Sequence, residues 1–185
     1  MIVCTGNTCR SPMAEAFLRR TVLARGIDAV VSSAGMASSG EPATADGVDV
    51  MAARGIDITG HSSRRMNEKL LGSGDLILGM TREHVRESVV LRPEVYSRTF
   101  TLKEIVRRGT DAGARGETES IRQWLDRLHY GRLPTQQLGE SPVDDVADPI
   151  GQGPAHYERT ALELDELTNR LVDLLWQQVP STPLT

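Results

Sequence analysis

The residues with the clearest chemical potential lie near the start of the chain, in the segment Cys4-Thr5-Gly6-Asn7-Thr8-Cys9-Arg10-Ser11. Gly6 permits backbone angles that a side chain forbids, and asparagine, as at Asn7, tolerates positive φ next best. A tight loop that ends at a helix gathers backbone N–H groups and the positive end of the helix dipole, which together bind a phosphate-sized anion. Such surroundings favour the thiolate form of a cysteine, so we expect Cys4 to be a nucleophile. The planar donor fork of Arg10 suits two phosphate oxygens at once.

The flanking residues predict that this loop joins a strand to a helix. The apolar run Met1-Ile2-Val3 precedes the loop, and a helix is expected from Pro12 to about Arg25, since proline fits a first helical turn. A second strand is predicted at Ala29–Ser33, ending in a turn at Ser33-Ala34-Gly35. Strand, helix and strand within about thirty residues form a βαβ unit with parallel strands. Because Met1–Val3 is short for a central strand, a native start upstream of Met1 stays open.

The rest of the chain continues this alternation of elements. Helices are predicted at 43–55, 66–71, 81–90 (with Thr81 as N-cap), 117–130 and 157–178, and strands at 75–78 and 97–100. Apolar stripes at helical spacing support three of the helices: Met13, Phe17, Leu18 and Leu23; Ile121, Trp124, Leu125 and Leu128; Leu164, Leu167, Leu171, Leu174 and Leu175. The fold class predicted is α/β, a small parallel sheet of about four strands with helices on both faces. Ligands bind such sheets at the carboxyl ends of the strands, where the Cys4 loop lies.

Composition narrows the classes of function. The 185 residues carry a net charge of −4, so no general basic patch is expected and nucleic acid is not predicted as a partner. No apolar run approaches the ~20 residues of a membrane span and no signal-peptide pattern opens the chain, so no membrane association is predicted. Both cysteines lie in one loop, and a reactive thiol suits a reducing compartment, so we expect a cytoplasmic protein. The four histidines are scattered, so neither a metal site nor a cofactor is predicted.

The loop resembles that of the low-molecular-weight protein tyrosine phosphatase family, in which Cys-x-Gly-Asn-x-Cys-Arg-Ser-Pro lies near the N-terminus. The resemblance covers roughly 1–104 and 144 to the final helix, and it implies a flavodoxin-like phosphotyrosine phosphatase I architecture. It also implies hydrolysis of a phosphorylated protein side chain through a phosphocysteine intermediate, without a cofactor. The phosphate-binding residues would be Thr5, Gly6, Asn7, Thr8, Cys9, Arg10 and Ser11, with Cys4 as the nucleophile.

The same resemblance implies the acid for the leaving group, because the family uses the aspartate of a late Asp-Pro pair. Asp148-Pro149 matches it, and a residue before proline is held extended, which fixes the direction of its carboxylate. Asp148 would protonate the leaving atom and then accept a proton from the water that attacks the phosphocysteine. An ordinary acidic turn is the alternative, and Asp144 and Asp145 are competing carboxylates nearby.

Supporting roles carry over from the family residue by residue. Asn7 is expected to brace the loop through its side-chain amide, with Ser33 and His61 at the positions that hydrogen-bond it. A turn serine and an exposed loop histidine are the alternatives. Ser11 is expected to donate to the nucleophilic sulfur, to cap the helix, or both. Cys9 is expected to form a reversible disulfide with the nucleophilic cysteine that prevents over-oxidation, unless it only fills a tight loop.

Two positions bear on which phosphate is cleaved. Thr8 stands where tyrosine enzymes of the family generally have isoleucine, and the bacterial protein arginine phosphatases of the family share the whole loop. The segment 100–104 also resembles that branch. A threonine hydroxyl offers polarity beside a guanidinium, so phosphoarginine is the favoured substrate and phosphotyrosine the alternative. Ile150 departs from both branches, which carry an aromatic residue after the Asp-Pro pair.

We expect residues 1–185 to form a single phosphatase domain with an insertion at about 107–143 that short family members lack. Two further classes of function stay open. Arsenate reductases of this fold need cysteines outside the loop, and this chain has none. A non-catalytic phosphate-binding module would normally lose the cysteine or the acid, and this chain keeps both. The sequence gives no basis for predicting an oligomeric state.

Overall fold

The computed structural model describes residues 1–37 and 39–177, and in it four short strands form one parallel sheet. The strands are β1 (Ile2–Cys4), β2 (Ser33–Gly35), β3 (Ile77–Gly79) and β4 (Thr99–Thr101), in the order β2-β1-β3-β4. Cys4, the last residue of β1, pairs with Gly35, the last residue of β2. The carboxyl ends of these strands therefore meet at the edge where the loop of the candidate nucleophile begins, as predicted.

Helices cover both faces of the sheet, as predicted. They are α1 (Arg10–Ala24), α2 (Ala45–Ala52), α3 (Glu68–Ser73), α4 (Arg82–Leu91), α5 (Leu102–Ala112), α6 (Ile121–His129) and α7 (Pro154–Leu175), with 3₁₀ turns at Pro93–Arg98 and Pro134–Gln137. Successive strand residues point to opposite faces. Ile2 and Leu78 accordingly join a core with α1, α5, α6 and α7, whereas Val3 and Ile77 join a smaller one with Leu71 of α3. None of the described helices combines the length and apolar character needed to cross a bilayer.

The prediction for the second strand was wrong in position. The pairing strand is Ser33–Gly35, which the sequence indicated as a turn, and Val30 of the predicted strand is 95% exposed. Glycine is required at the end of this strand because the loop after β1 passes directly over Gly35. A Cβ added at Gly35 would lie 2.8 Å from both the Asn7 nitrogen and the Thr5 carbonyl oxygen. Close approach to a neighbouring backbone therefore overrode the β-propensity of the valines.

The other strands begin later than predicted, and one helical stripe is shifted. β3 starts at Ile77 rather than Asp75, and β4 at Thr99, because Pro93–Arg98 forms a 3₁₀ turn. In α1, Leu23 is 79% exposed, and Val22 is buried instead. Leu23 lies about 120° around the helix from Phe17, away from the buried face.

The long C-terminal helix α7 packs mainly on α1 and α5. Leu164, Leu171, Leu174 and Leu175 are buried, as their spacing predicts, and Leu167 is partly buried. The helix ends at Leu175 rather than at the predicted Gln178, which lies outside the described residues.

The segment 107–143 begins inside α5. α5 runs through Arg107 and Gly109, and a Cβ at Gly109 would lie 2.9 Å from the Trp124 ring of α6. Trp124, Leu125 and Leu128 are buried in the same core as the sheet, which confirms the stripe predicted for this helix. The segment is thus packed against the sheet through α6.

Beyond α6, a buried ion pair holds the segment. The guanidinium of Arg132 donates from Nε to Oε1 of Glu104 at 2.8 Å and from Nη2 to Oε2 at 3.0 Å. The same group stacks 4.0 Å above the ring of Phe100, and both charged side chains are almost fully buried. A buried charge is stable only when it is paired in this way, so Arg132 and Glu104 depend on each other.

Candidate active site

The loop between β1 and α1 encloses the sulfur of Cys4. Cys4 is buried, and the backbone N–H of Asn7 points at its Sγ over 3.2 Å. The Oγ of Ser11, in the first turn of α1, lies 2.9 Å from the same sulfur. Two hydrogen-bonding groups therefore converge on the thiol, one from the loop and one from the helix start, as the sequence predicts for Ser11.

Asn7 is the residue that fixes the loop in shape. Its φ is 53°, the left-handed region, which no other non-glycine residue adopts in the described parts of the chain. Its Nδ2 donates to Ser11 Oγ (2.9 Å) and to Ser33 Oγ (2.8 Å). Its backbone oxygen accepts from Nε2 of His61 at 2.6 Å, and its Oδ1 accepts from the N–H of Arg64 at 2.9 Å. The structure thus brings Asn7, Ser11, Ser33 and His61 together as predicted.

The predicted acid reaches the loop from the other end of the chain. Arg10, buried at the start of α1, donates from Nη2 to Oδ2 of Asp148 at 2.5 Å and from Nη1 to the Val146 carbonyl at 3.2 Å. The Asp148 side chain remains 41% exposed, and its Oδ1 accepts from the N–H of Ile150 at 3.2 Å. A carboxylate so placed stands beside the arginine at the mouth of the loop, where a leaving group would depart.

The competing carboxylates Asp144 and Asp145 anchor the segment that leads to Asp148. Asp144 accepts from Arg82 (2.7 Å) and from Arg107 (2.8 Å). Burial alone would raise the pKa of Asp144, but the hydrogen bonds from these two arginines outweigh it and hold the pKa below its usual value. Asp145 accepts from the backbone N–H groups of Arg82 and Ser141. Both carboxylates are therefore occupied with holding the segment that leads to Asp148.

The second thiol, Cys9, is buried beneath the loop beside Tyr157. Burial raises the pKa of the Cys9 thiol to about 12, a shift that the interaction with Tyr157 offsets only in part. Cys9 is accordingly protonated at neutral pH, and both cysteines are free thiols in this structure.

The two positions predicted to bear on specificity lie on the rim. Thr8 is half-buried in the loop, and its backbone oxygen accepts from the N–H of Thr44 at 2.8 Å. Ile150 is 51% exposed just after the acid. Thr5, the exposed residue next to the nucleophile, lies with its Oγ1 3.1 Å from Nε2 of His84, a residue that sequence reasoning did not single out.

Other contacts of the site were also not predicted from the sequence. The carboxylate of Glu15 accepts from Ser33 Oγ at 2.5 Å, and the backbone groups of Arg64 and Val146 take part as described. Glu15 lies one helical turn after Ser11, which is a spacing that could have pointed to it. Backbone groups leave no trace in a side-chain pattern. Among residues 1–37 and 39–177, no cluster of three or more candidate ligand side chains could hold a metal ion.

This arrangement can perform nucleophilic displacement on a tetrahedral anion. A thiol lies at the base of an amide-lined loop, a guanidinium flanks it, and a carboxylate stands at the opening. Donors already in place stabilise charge on the equatorial oxygens without reorganisation, and a carboxyl group at the opening can transfer a proton.

Comparison with known proteins supports this chemistry. The sequence profile of the family described as "Low molecular weight phosphotyrosine protein phosphatase" matches residues 1–114, which include the whole loop. The protein-arginine-phosphatase of Bacillus subtilis is 32% identical over 176 residues, covering 95% of each chain, and so extends the likeness past the acid loop.

Solved structures agree with the fold. A low molecular weight protein tyrosine phosphatase from T. tengcongensis superposes with a TM-score of 0.72 at 34% identity, covering 94% of this chain and 97% of the other. A cysteine-to-serine variant of the YwlE arginine phosphatase, with a phosphorylated active-site serine, gives a TM-score of 0.72 at 30% identity, covering 96% and 95%.

Proposed function

This chain belongs to the family of low molecular weight phosphotyrosine protein phosphatases, and from that premise we propose which residues act and which phosphorylated side chain they cleave. The protein is a cysteine-dependent phosphoprotein phosphatase, and phosphorylated proteins are its substrates. We propose the roles of its residues and its preference among phosphorylated side chains.

Catalysis proceeds in two displacements. Cys4 Sγ attacks phosphorus and forms an S–P bond, while the bond from phosphorus to the leaving atom breaks and Asp148 gives that atom a proton. Arg10 and the loop amides hold the equatorial oxygens. Water then attacks the phosphocysteine, Asp148 takes its proton, and Ser11 donates to the departing Cys4 sulfur. The observation that carries this assignment is the convergence of Asn7 N–H and Ser11 Oγ on the Cys4 sulfur, beside the Arg10–Asp148 pair.

Phosphoarginine is the proposed substrate. Thr8 presents a hydroxyl in the loop, and a relative that spans this chain is named a protein-arginine-phosphatase, whereas Ile150 departs from both branches of the family and favours neither substrate. A polar rim suits a guanidinium leaving group, whereas a flat aryl ring requires apolar walls. Phosphotyrosine is the second candidate, supported by the description of the family itself.

The test compares kcat/KM for a phosphoarginine peptide and a phosphotyrosine peptide of the same sequence. We expect the wild-type protein to prefer phosphoarginine, and Thr8→Ile to reduce that preference about tenfold or more. Thr110→Ile, on the exposed side of α5, is the matched control. A preference that Thr8→Ile leaves unchanged would remove Thr8 as the determinant, and a wild-type preference for phosphotyrosine would favour the second candidate.

We extend the proposal to the domain and to the second thiol. The chain forms one phosphatase domain in which 107–143 is an insertion, supported by the packing of Trp124 into the core of the sheet. Cys9 is proposed to close a reversible disulfide with Cys4 under oxidation, in a reducing cytoplasm that later restores both thiols.

A further inference from the structure

His84, in the first turn of α4, is a buried histidine whose tautomer the structure determines. It is 1% exposed, and its Nδ1 lies 3.0 Å from the backbone N–H of Thr81 and 2.7 Å from the Thr81 hydroxyl. A backbone N–H can only donate, so Nδ1 is the acceptor and Nε2 carries the proton.

The ring remains neutral throughout the physiological range. Burial lowers the pKa of His84 to about 3, and the positive charges of Arg10 and Arg86 add to the effect. His84 is therefore a hydrogen-bond donor of fixed direction, unsuited to proton transfer at neutral pH.

The acceptor of this proton is the hydroxyl of Thr5, the residue that follows the nucleophile. Nε2 of His84 donates to Thr5 Oγ1 at 3.1 Å, so the proton of the Thr5 hydroxyl must point away from the ring. The Thr5 backbone is fixed as well, because its carbonyl accepts from the N–H groups of Met36 (2.8 Å) and Ala37 (3.0 Å). Thr5 is nevertheless exposed. Thr5 is thus held at both backbone and side chain, and its Oγ1 keeps one free lone pair, because the His84 proton occupies the other.

We propose that His84 is a positioning residue that holds the Thr5 hydroxyl so that its free lone pair accepts from an N–H of a guanidinium leaving group, a donor that an aryl oxygen lacks. The inference rests on the proposed phosphoarginine function and adds a second determinant to Thr8. A site built to hydrogen-bond a substrate discriminates against analogues that leave its polar groups unpaired. With no histidine behind it, the Thr5 hydroxyl would rotate freely and lose this effect.

The test is a double-mutant cycle in which the measured quantity is the ratio of kcat/KM for the two substrates. Thr5→Val, His84→Phe and the double variant are assayed on matched phosphoarginine and phosphotyrosine peptides, with folding checked by thermal melting. We expect each single variant to lower kcat/KM for phosphoarginine about tenfold more than for phosphotyrosine, and the double variant to lose little more than either single one. Thr110→Val is the matched control for the threonine change.

A second variant separates positioning from packing. His84→Gln keeps an amide donor and is expected to restore most of the preference that His84→Phe loses, and it serves as the test of His84 if His84→Phe does not fold. The alkaline and acid limbs of the pH profile should not move in either variant, since His84 does not titrate there.

The inference would be overturned by additive losses of kcat/KM in the double variant, by equal losses of kcat/KM on the two substrates, or by a missing limb of the pH profile in His84→Gln. A wild-type protein without phosphoarginine activity would overturn the proposed function and, with it, this selectivity. A normal wild-type phosphoarginine rate that Thr5→Val leaves unchanged would overturn the inference alone.

Discussion

The guanidinium of Arg10 and the carboxylate of Asp148 form an ion pair of 2.5 Å between residues 138 positions apart in the sequence. Arg10 also donates to the carbonyl of Val146, two residues before Asp148, so it contacts this segment twice. In the proposed mechanism, a phosphate that enters the loop competes with Asp148 for Arg10, which couples substrate binding to the position of the Asp148 carboxylate.

Asp148→Asn separates these two roles. The amide keeps a hydrogen bond to Arg10 but cannot give or take the proton, so we expect kcat to fall by about 10²–10⁴-fold. Inorganic phosphate should bind at least as tightly as to the wild type, since a neutral amide competes less for Arg10 than the carboxylate does. Steady-state kinetics with competing phosphate measure both, and Asp111→Asn on α5 is the control. Wild-type turnover in Asp148→Asn would exclude Asp148 as the acid.

Asn7→Ala should destabilise the protein as well as inactivate it. The change removes three buried side-chain hydrogen bonds and places alanine at a φ of 53°, for a loss of about 3–4 kcal/mol in the free energy of unfolding. Ser33→Ala removes the hydroxyl that links Asn7 to Glu15 and should cost about 1–2 kcal/mol. Urea denaturation measures both, and equal losses would contradict the central place of Asn7.

Asp144→Asn should change how stability depends on pH. The pKa of Asp144 is lower in the folded protein than its ordinary value of 3.8, so its ion pairs stabilise the fold fully above about pH 5. That contribution is lost as pH falls through the lowered pKa. We expect Asp144→Asn to lower the free energy of unfolding at pH 7 by about 2 kcal/mol, a loss that is limited because Arg107 is partly exposed. Below pH 4, the difference in free energy of unfolding between the variant and the wild type should shrink.

Urea titrations of both proteins across this pH range test the prediction. A difference in free energy of unfolding that grows on acidification would contradict the lowered pKa of Asp144. Because Asp144 anchors the acid loop, kcat at pH 7 should fall as well, with little change in the inhibition constant of phosphate.

Oxidation should link the two thiols slowly. Hydrogen peroxide oxidises the sulfur of Cys4 to a sulfenic acid, and Cys9 sulfur then attacks Cys4 sulfur, forming the disulfide and releasing water. Burial raises the pKa of Cys9 to about 12, so little Cys9 thiolate is present at neutral pH and the second step should accelerate as pH rises.

Mass spectrometry after peroxide treatment should show the Cys4–Cys9 disulfide in the wild type and sulfinic or sulfonic Cys4 in Cys9→Ser. Thioredoxin should restore activity to the wild type alone. Sulfonic Cys4 in the wild type without any disulfide would rule out the protective role.

The sequence was informative wherever local pattern and chemistry coincided. The loop from Cys4 to Ser11, the helix capped by Thr81 and the leucine stripe of α7 each combine spacing with residue type, and each is present where it was predicted. The second strand was misplaced because three residues carry little periodicity, and because backbone crowding against the loop, invisible in a sequence, selects Ser33-Ala34-Gly35 over the nearby valines.

Residues that act through tertiary contacts were missed for a similar reason. His84 is 79 positions from Thr5, and Glu15 is 18 from Ser33. The sequence around His84 does not differ from that of an ordinary helix, and the local signal for Glu15 is limited to its helical spacing from Ser11. The roles of Asp144 and Asp145 likewise became distinguishable from that of Asp148 only once Arg82 and Arg107 were placed beside them.

The buried pair of Arg132 and Glu104 limits how this chain can be shortened. Excising 113–143 would leave the Glu104 carboxylate with Arg108 alone and remove the guanidinium that stacks on the ring of Phe100. A trimmed version would therefore need a new partner for the freed oxygen of Glu104 and a new cover for Phe100.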